Sequence, residues 1–355
     1  MSGIRARPVV VVAHEATRTG SVGVLLRLLP GLRSLGLGPL AVRLLAEGPN
    51  AAALRSFGGA DPLDPCPRLV FVNSALAAGI LWDYDESVST VLYVHENRDA
   101  LFALDDQARS ALLRPHGLVL AVSGGVRDDL VSMGVEAGRI RIVPPTVEAR
   151  DPEPSAVREA RAELAEGDRT VVVGCGEASW RKGTDLFVDV IARLSGLRPV
   201  RAGWIGRRPR AFGRQLDSDA RALGIGESLT WVGEVEDPIP YLAAADVLVM
   251  TSREDPQPLV LLEAALAGTP TVAFDLGGLA EFIGSGAALG APFPDTAEAA
   301  RAADRLLRQG AEQSRLVERA RQIASARSPD NLVPQLLMIL RTYVETADAG
   351  PSERV

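Results

Sequence analysis

The chain has 355 residues, 47% apolar and 23% charged, with a net charge of −7; that describes a soluble globular protein long enough for two hydrophobic cores. The acidic balance and 5% aromatic content exclude a basic nucleic-acid surface, and no stretch approaches the roughly 20 apolar residues of a membrane span. Cys66, Cys175 and three histidines offer no metal-ligand spacing, and the thiols read as buried and free in a reducing, cytoplasmic compartment.

In chain order, the apolar run from Pro8 to Ala13 is too short for a signal-peptide core and reads as a first strand, Val9–Val12. The stripe Leu25, Leu26, Leu28, Leu29 and Leu32 follows at helical spacing. Core packing is the better reading of that stripe, with membrane contact the weaker one, because no basic cluster accompanies it. Further strands are expected at Leu69–Asn73, Thr90–Val94, Leu118–Val122 and Arg141–Val143, with Ser123 capping the helix after the fourth. Near-continuous runs such as Val9 to Val12 suit strands covered on both faces. Residues 1–150 hold 15 arginines and 15 acids, so the acidic excess lies entirely in the rest of the chain.

A Pro- and acid-rich segment from Pro144 to Asp168 reads as a linker with one charged helix. The alternation then restarts with strands at Thr170–Val173, Arg201–Ile205, Leu229–Val232, Val247–Met250 and Thr271–Phe274. Helices are expected between them at about 184–196, 210–223, 238–245 and 259–267. The stretch from Ala297 to Ala349 reads as mostly helical. Repeated strand–helix units of this kind predict an α/β protein with parallel sheets, whose ligands bind beyond the carboxyl ends of the strands.

One residue stands out there. Lys182 is the only lysine, against 37 arginines, and it lies in a loop just past a predicted strand. An ammonium is a point charge that binds phosphate without the planar fork of arginine. Further on, Pro258 is placed as a first-turn residue, which leaves the amides of Leu259 and Val260 facing outward at a positive helix end, a ready anion site. Glu263, one turn in, can accept two hydrogen bonds from a vicinal diol. Gly174 and Gly176 after a strand suggest a dinucleotide fingerprint, but its third glycine position is Ser179 and no acid stands at the next strand end, which argues against a nicotinamide site.

The run from Thr251 to Glu281 resembles the retaining GT-B glycosyltransferases of family four, also called glycosyl transferases group 1. The resemblance rests on Asp255 and Glu263, two acids with seven residues between them, then Gly268-Thr269-Pro270, Gly277-Gly278 and Glu281. It extends to the loop from Gly174 to Phe187 and, in the first half, to the segment from His14 to Gly23 and the corner Val94-His95-Glu96.

The resemblance implies GT-B architecture, two Rossmann-like parallel-sheet domains facing across a cleft. Residues 1–150 would bind the acceptor and 151–330 a nucleotide-sugar donor, with a helix in 331–355 packing back toward the first domain. It implies a metal-independent, retaining hexosyl transfer from a nucleotide diphosphate sugar to a hydroxyl of a glycan or small molecule, in polysaccharide or glycoconjugate biosynthesis. No resident cofactor is implied; the nucleotide sugar is a substrate. Lys182 would sit on the diphosphate, Glu263 on the ribose, Asp255 on the transferred sugar, and Gln257, Leu259 and Val260 on phosphate or sugar. Gly233 and Glu234 would border the base, Gly20 would let backbone approach the phosphates, and His95 would meet a sugar hydroxyl. His14 ends a strand at the same side.

Two departures from the family pattern stand out. The first acid is Asp255 rather than Glu, with Glu254 just before it as a possible substitute. The usual phosphate arginine is Glu177, with Arg181 the expected replacement. The alternative reading is a catalytically weak or inactive GT-B protein that binds a nucleotide sugar. An epimerase or phosphorylase on the same scaffold is weaker still.

Overall fold

The computed structural model describes residues 7–59 and 62–348, which divide into two compact units. One runs through Thr146 and resumes at Arg327; the other is Val147–Ala326.

The first unit is built on a six-stranded parallel sheet. In chain order its elements are β1 (Val9–Ala13), α1 (Gly20–Ser34), β2 (Leu40–Leu44), α2 (Ala51–Arg55) and β3 (Leu69–Val72). A 3-10 segment (Ala75–Asp83) precedes β4 (Ser89–Val94), α3 (Arg98–Phe102), α4 (Asp106–Leu112), β5 (Leu118–Ala121), α5 (Gly124–Ser132) and β6 (Ile140–Ile142). The strand order is β2-β1-β3-β4-β5-β6. Every residue of β1, β3 and β5 is buried, as their apolar runs require, and each buried Val or Leu contributes roughly 1.5–3 kcal/mol.

The second unit repeats the plan: α6 (Pro154–Leu164), β7 (Thr170–Cys175), α7 (Thr184–Ser195), β8 (Val200–Ile205), α8 (Arg210–Ala222), β9 (Leu229–Gly233), α9 (Ile239–Ala243), β10 (Val247–Met250), α10 (Leu259–Ala267), β11 (Thr271–Phe274), α11 (Gly278–Gly284), β12 (Leu289–Ala291), α12 (Thr296–Arg308) and α13 (Gly310–Ala326). Its parallel sheet runs β12-β11-β10-β7-β8-β9. Phe187 of α7 and Trp204 of β8 meet edge to face at 5.1 Å at the centre of one core layer.

The last described helix, α14 (Pro329–Asp348), belongs to the first unit and packs on α1 and β4. The expected helix in 331–355 thus starts slightly earlier, and residues 349–355 lie outside the described residues. The crossing with α1 is close because Gly31 has no side chain: a Cβ there would fall 2.3 Å from Val333 Cγ1. Arg341 of α14 donates to the Leu35 carbonyl at 3.0 Å, which satisfies a carbonyl at the end of α1. Leu25, Leu28, Leu29 and Leu32 of the leucine stripe are buried in this unit, while Leu26 is only partly buried, so most of the stripe is core. Ser123 caps α5 by accepting from the Val126 amide.

Two strands were not anticipated, β2 and β12, and both lie at sheet edges. The expectation that both thiols are buried is also corrected. Cys66 is exposed and Cys175 only partly buried, both free, because Cys66 lies between two prolines in the loop that precedes β3 rather than in an element.

Candidate functional site

In the second unit the polar groups gather beyond the carboxyl ends of β7 and β10, which are hydrogen-bonded neighbours. The loop after β7 turns through Gly183, whose φ of +63° fits the left-handed region and whose missing side chain matters. A Cβ at Gly183 would fall 1.9 Å from the Thr251 carbonyl oxygen. The Thr251 hydroxyl donates to the Gly183 carbonyl at 2.8 Å, and the Arg253 amide to the Arg181 carbonyl at 2.8 Å. Two loops, 68 residues apart at Gly183 and Thr251, are thereby locked together.

That lock brings Lys182 Nζ to 2.6 Å from Asp255 Oδ2, with the side chains only 15% and 6% exposed. A desolvated pair of this kind is held by mutual attraction, since neither charge has much water. Arg181 donates to the Glu254 carbonyl at 3.0 Å, so its guanidinium is directed to the same segment. The Gly278 amide donates to the Asp255 carbonyl at 3.1 Å, which ties the Gly277-Gly278 turn to this point. Glu263 is half-buried in α10. Burial, then its charge, push the neighbouring Cys175 thiol up to about 12, while Lys182 acts in the opposite direction. One thiol at the end of β7 therefore feels both Lys182 and Glu263.

Arg253 was not anticipated as part of this arrangement. Its guanidinium makes a bidentate pair with Asp185, at 2.8 and 2.7 Å, donates to the Trp180 carbonyl at 2.7 Å and stacks 4.7 Å from the Trp180 ring. Burial works to raise the Asp185 carboxyl, but the hydrogen bonds and charge of Arg253 outweigh it and hold the group below its usual range. Asp185 lies in the first turn of α7, so Arg253 anchors the Lys182 loop to that helix.

Glu177 pairs with Arg207 at 2.5 Å on an exposed edge. Gly233 ends β9 with φ +86° and Glu234 is exposed. The helix start differs from the expectation. Pro258 is the N-cap, with ψ near 83°, and the helix begins at Leu259. This tight entry brings the Gln257 carbonyl to the Leu259 amide at 3.0 Å, so that amide does not face outward as supposed. Val260 follows it in the first turn.

The remaining sites lie in the first unit. A cavity of about 190 Å³ opens past β1, β3 and β4, with His14, Glu15, Ser21, Asn73 and Glu96 among its walls. Gly20 is exposed at the start of α1 and is not part of that wall; Ser21 is. His95 stands just behind. Its Nε2 is 3.2 Å from Asn73 Oδ1 and its ring lies 4.2 Å from that of Tyr93. Asn73 donates through Nδ2 to the Ser21 carbonyl at 3.0 Å. Its Oδ1 is thus the acceptor, so the imidazole carries its proton on Nε2. Burial pulls the His95 ring down to about 3, so it is neutral. Asn73, Ser74 and Glu15 were not singled out from sequence, where nothing marks a lone polar residue at a strand end.

Among the described residues no three His, Cys, Asp or Glu side chains gather as a metal site, and no helix is long and apolar enough to cross a membrane.

Residues 169–309 match the model of a family described as glycosyl transferases group 1. Over 133 residues the chain is 32% identical to the lipopolysaccharide core biosynthesis mannosyltransferase LpsB of Rhizobium meliloti, covering 36% of this chain and 38% of that protein. Over 138 residues it is 33% identical to a D-inositol 3-phosphate glycosyltransferase of Jonesia denitrificans, covering 36% and 32%. The matched stretch thus spans well under half of these relatives. The fold is similar throughout to that of Anabaena HepE, crystallised with UDP and glucose: TM-score 0.81 at 19% identity, over 95% of this chain and 100% of that one. WaaG, a glycosyltransferase involved in lipopolysaccharide biosynthesis, gives 0.71 at 15% identity, over 93% and 99%. The chain has the GT-B fold, and its residues 169–309 match the glycosyl transferases group 1 family model.

Proposed function

We propose that the chain transfers a hexosyl group from a nucleotide diphosphate sugar to an acceptor hydroxyl, with retention of configuration and without a metal. The observation that carries this reading is the Lys182–Asp255 pair at 2.6 Å, at the strand ends where α/β folds bind ligands. A lysine has three N–H donors, and one here is directed at Asp255. Diphosphate oxygens entering the loop would compete for the ammonium and offset its charge more fully than one carboxylate does. As the bond to the sugar breaks, charge grows on the departing phosphate, and a fixed ammonium stabilises that state more than the ground state.

Asp255, displaced from Lys182, is placed to accept from hydroxyls of the sugar. Glu263 would hold the ribose diol, with Arg181 and the first-turn amide of Val260 supplementing the phosphate contacts. Gln257 would meet phosphate or sugar, and Gly233 and Glu234 would border the base. His95, neutral and with its proton on Nε2, offers the Nδ1 lone pair to a sugar hydroxyl. The acceptor is assigned to the first unit. The named relatives, a mannosyltransferase and a D-inositol 3-phosphate glycosyltransferase, support glycosyl transfer, and the UDP held by HepE points first to a uridine donor.

Thermal-shift screening against uridine, guanosine, thymidine and adenosine diphosphate sugars tests the reading. One base should raise Tm clearly, and glycoside formation should follow with acceptor present. No shift with any donor at millimolar concentration would sink it, and a shift with no turnover on any acceptor would favour a binding protein instead.

A further inference from the structure

We infer that the cavity in the first unit selects a single uncharged or cationic polyol ring as acceptor and rejects a phosphorylated one; this rests on the reading above and specifies its acceptor.

The size argument comes first. A volume of about 190 Å³ lies below the roughly 300–1,000 Å³ of drug-sized ligand pockets, which suits one sugar or cyclitol ring.

Charge decides the class. Two carboxylates, Glu15 and Glu96, are among the walls, and no arginine or lysine is among the described residues that line the cavity. Arg27, farther along α1, is turned to Thr146 at 3.2 Å. Glu96 cannot swing away. Its Oε1 takes the Ser74 hydroxyl at 2.5 Å, and Oε2 takes the amides of Ala75 and His95, both at 3.0 Å. Three donors on one carboxylate leave it fixed, with acceptor capacity remaining. Glu15 is held at Oε1 by the Thr19 hydroxyl at 3.0 Å. A phosphate dianion here would meet two anionic walls in a partly desolvated space, where like charges repel strongly. Hydroxyls behave oppositely: a vicinal diol donates to the carboxylates and can exchange hydrogen bonds with Ser21 and His14.

The test needs no donor. Ligand-observed NMR on the full chain would compare methyl α-glucoside, myo-inositol and glucosamine with glucose 6-phosphate and inositol monophosphate. The uncharged and cationic rings should bind at least tenfold more tightly than the phosphorylated ones. Glu15→Gln should narrow that ratio at least threefold. Leu76→Trp, at a wall residue that is 46% exposed and so tolerates bulk, should fill the cavity and abolish ring binding. Phosphorylated rings binding as well or better, no ring binding to the wild type, or binding unchanged by Leu76→Trp would each overturn the inference. A donor thermal shift on the same samples separates the cases. If the shift persists, only the acceptor class has failed; if it is absent, the transfer reading has failed too.

Discussion

Lys182 and Asp255 cannot be altered independently. Asp255 is 6% exposed and its ammonium partner is 2.6 Å away, so removing the lysine strands a buried charge, at a cost of about 2–3 kcal/mol given partial solvent access. Lys182→Ala should therefore lower both turnover, by two or more orders of magnitude, and Tm. Adding Asp255→Asn to that variant should restore Tm and leave turnover low. Recovery of turnover with stability would assign the lysine a purely structural part. Lys182→Arg should recover only a fraction of activity, because a planar fork does not fit a point-charge position. His95 gives a second test. Its folded-state value of about 3 lies below the unfolded value near 6.5, so the unfolded chain takes up the proton first as pH falls. The associated stability is complete above about pH 6.5 and is lost at about 1.4 kcal/mol per pH unit as pH drops toward 3. In urea melts at pH 7 and pH 5, His95→Gln should show a smaller loss on acidification than wild type; an equal loss would place the effect on other groups.

At the level of elements, the loop joining β7 to α7 rests on Gly183. Gly183→Ala sets a Cβ 1.9 Å from a backbone oxygen in a left-handed conformation, so the loop must move. Stability should fall by about 2 kcal/mol or more, and donor-induced thermal shifts should disappear even though Lys182 is unchanged. A donor shift that survives would show that the loop geometry is not what orients the lysine. The same region shows what sequence can and cannot reveal. Lys182 was marked by its rarity and Asp255 by its spacing to Glu263, and the fold brings the first two together. Arg253 was not, because its meaning comes from Asp185 and Trp180, which approach it only in the folded sheet. Central strands such as β1 and β10 were legible as unbroken apolar runs. Edge strand β2, Leu40–Leu44, has a single β-branched residue, and β12, Leu289–Ala291, has a glycine at its centre. An edge pairs on one side only, so weak propensity suffices there. The first-unit cavity was only partly readable, through His14 and His95, because its other walls come from separate strand ends.

For the whole molecule, the order of units along the chain matters more than their similarity. The first unit is completed by α14, whose Leu332, Leu336, Leu340 and Val344 are buried, and the tight point of that closure is Gly31 against Val333. Gly31→Leu should force the helices apart and destabilise the first unit by about 1–3 kcal/mol. Donor-induced shifts in the second unit should be retained. Loss of both together would mean that the two units unfold as one.

The insertion of Val147–Ala326 inside the first unit also sets the order of events on the ribosome. Strands β1 to β6 leave the exit tunnel first, yet the helix that covers α1 is made only after 180 further residues. At roughly 5–20 residues per second that delay is about ten seconds or more. In that interval the second unit has all of its own chain and can finish folding, while the apolar face of α1 stays uncovered. That face is the surface on which a nascent-chain chaperone would act, and crowded translation without one should produce aggregates seeded by the first unit rather than the second.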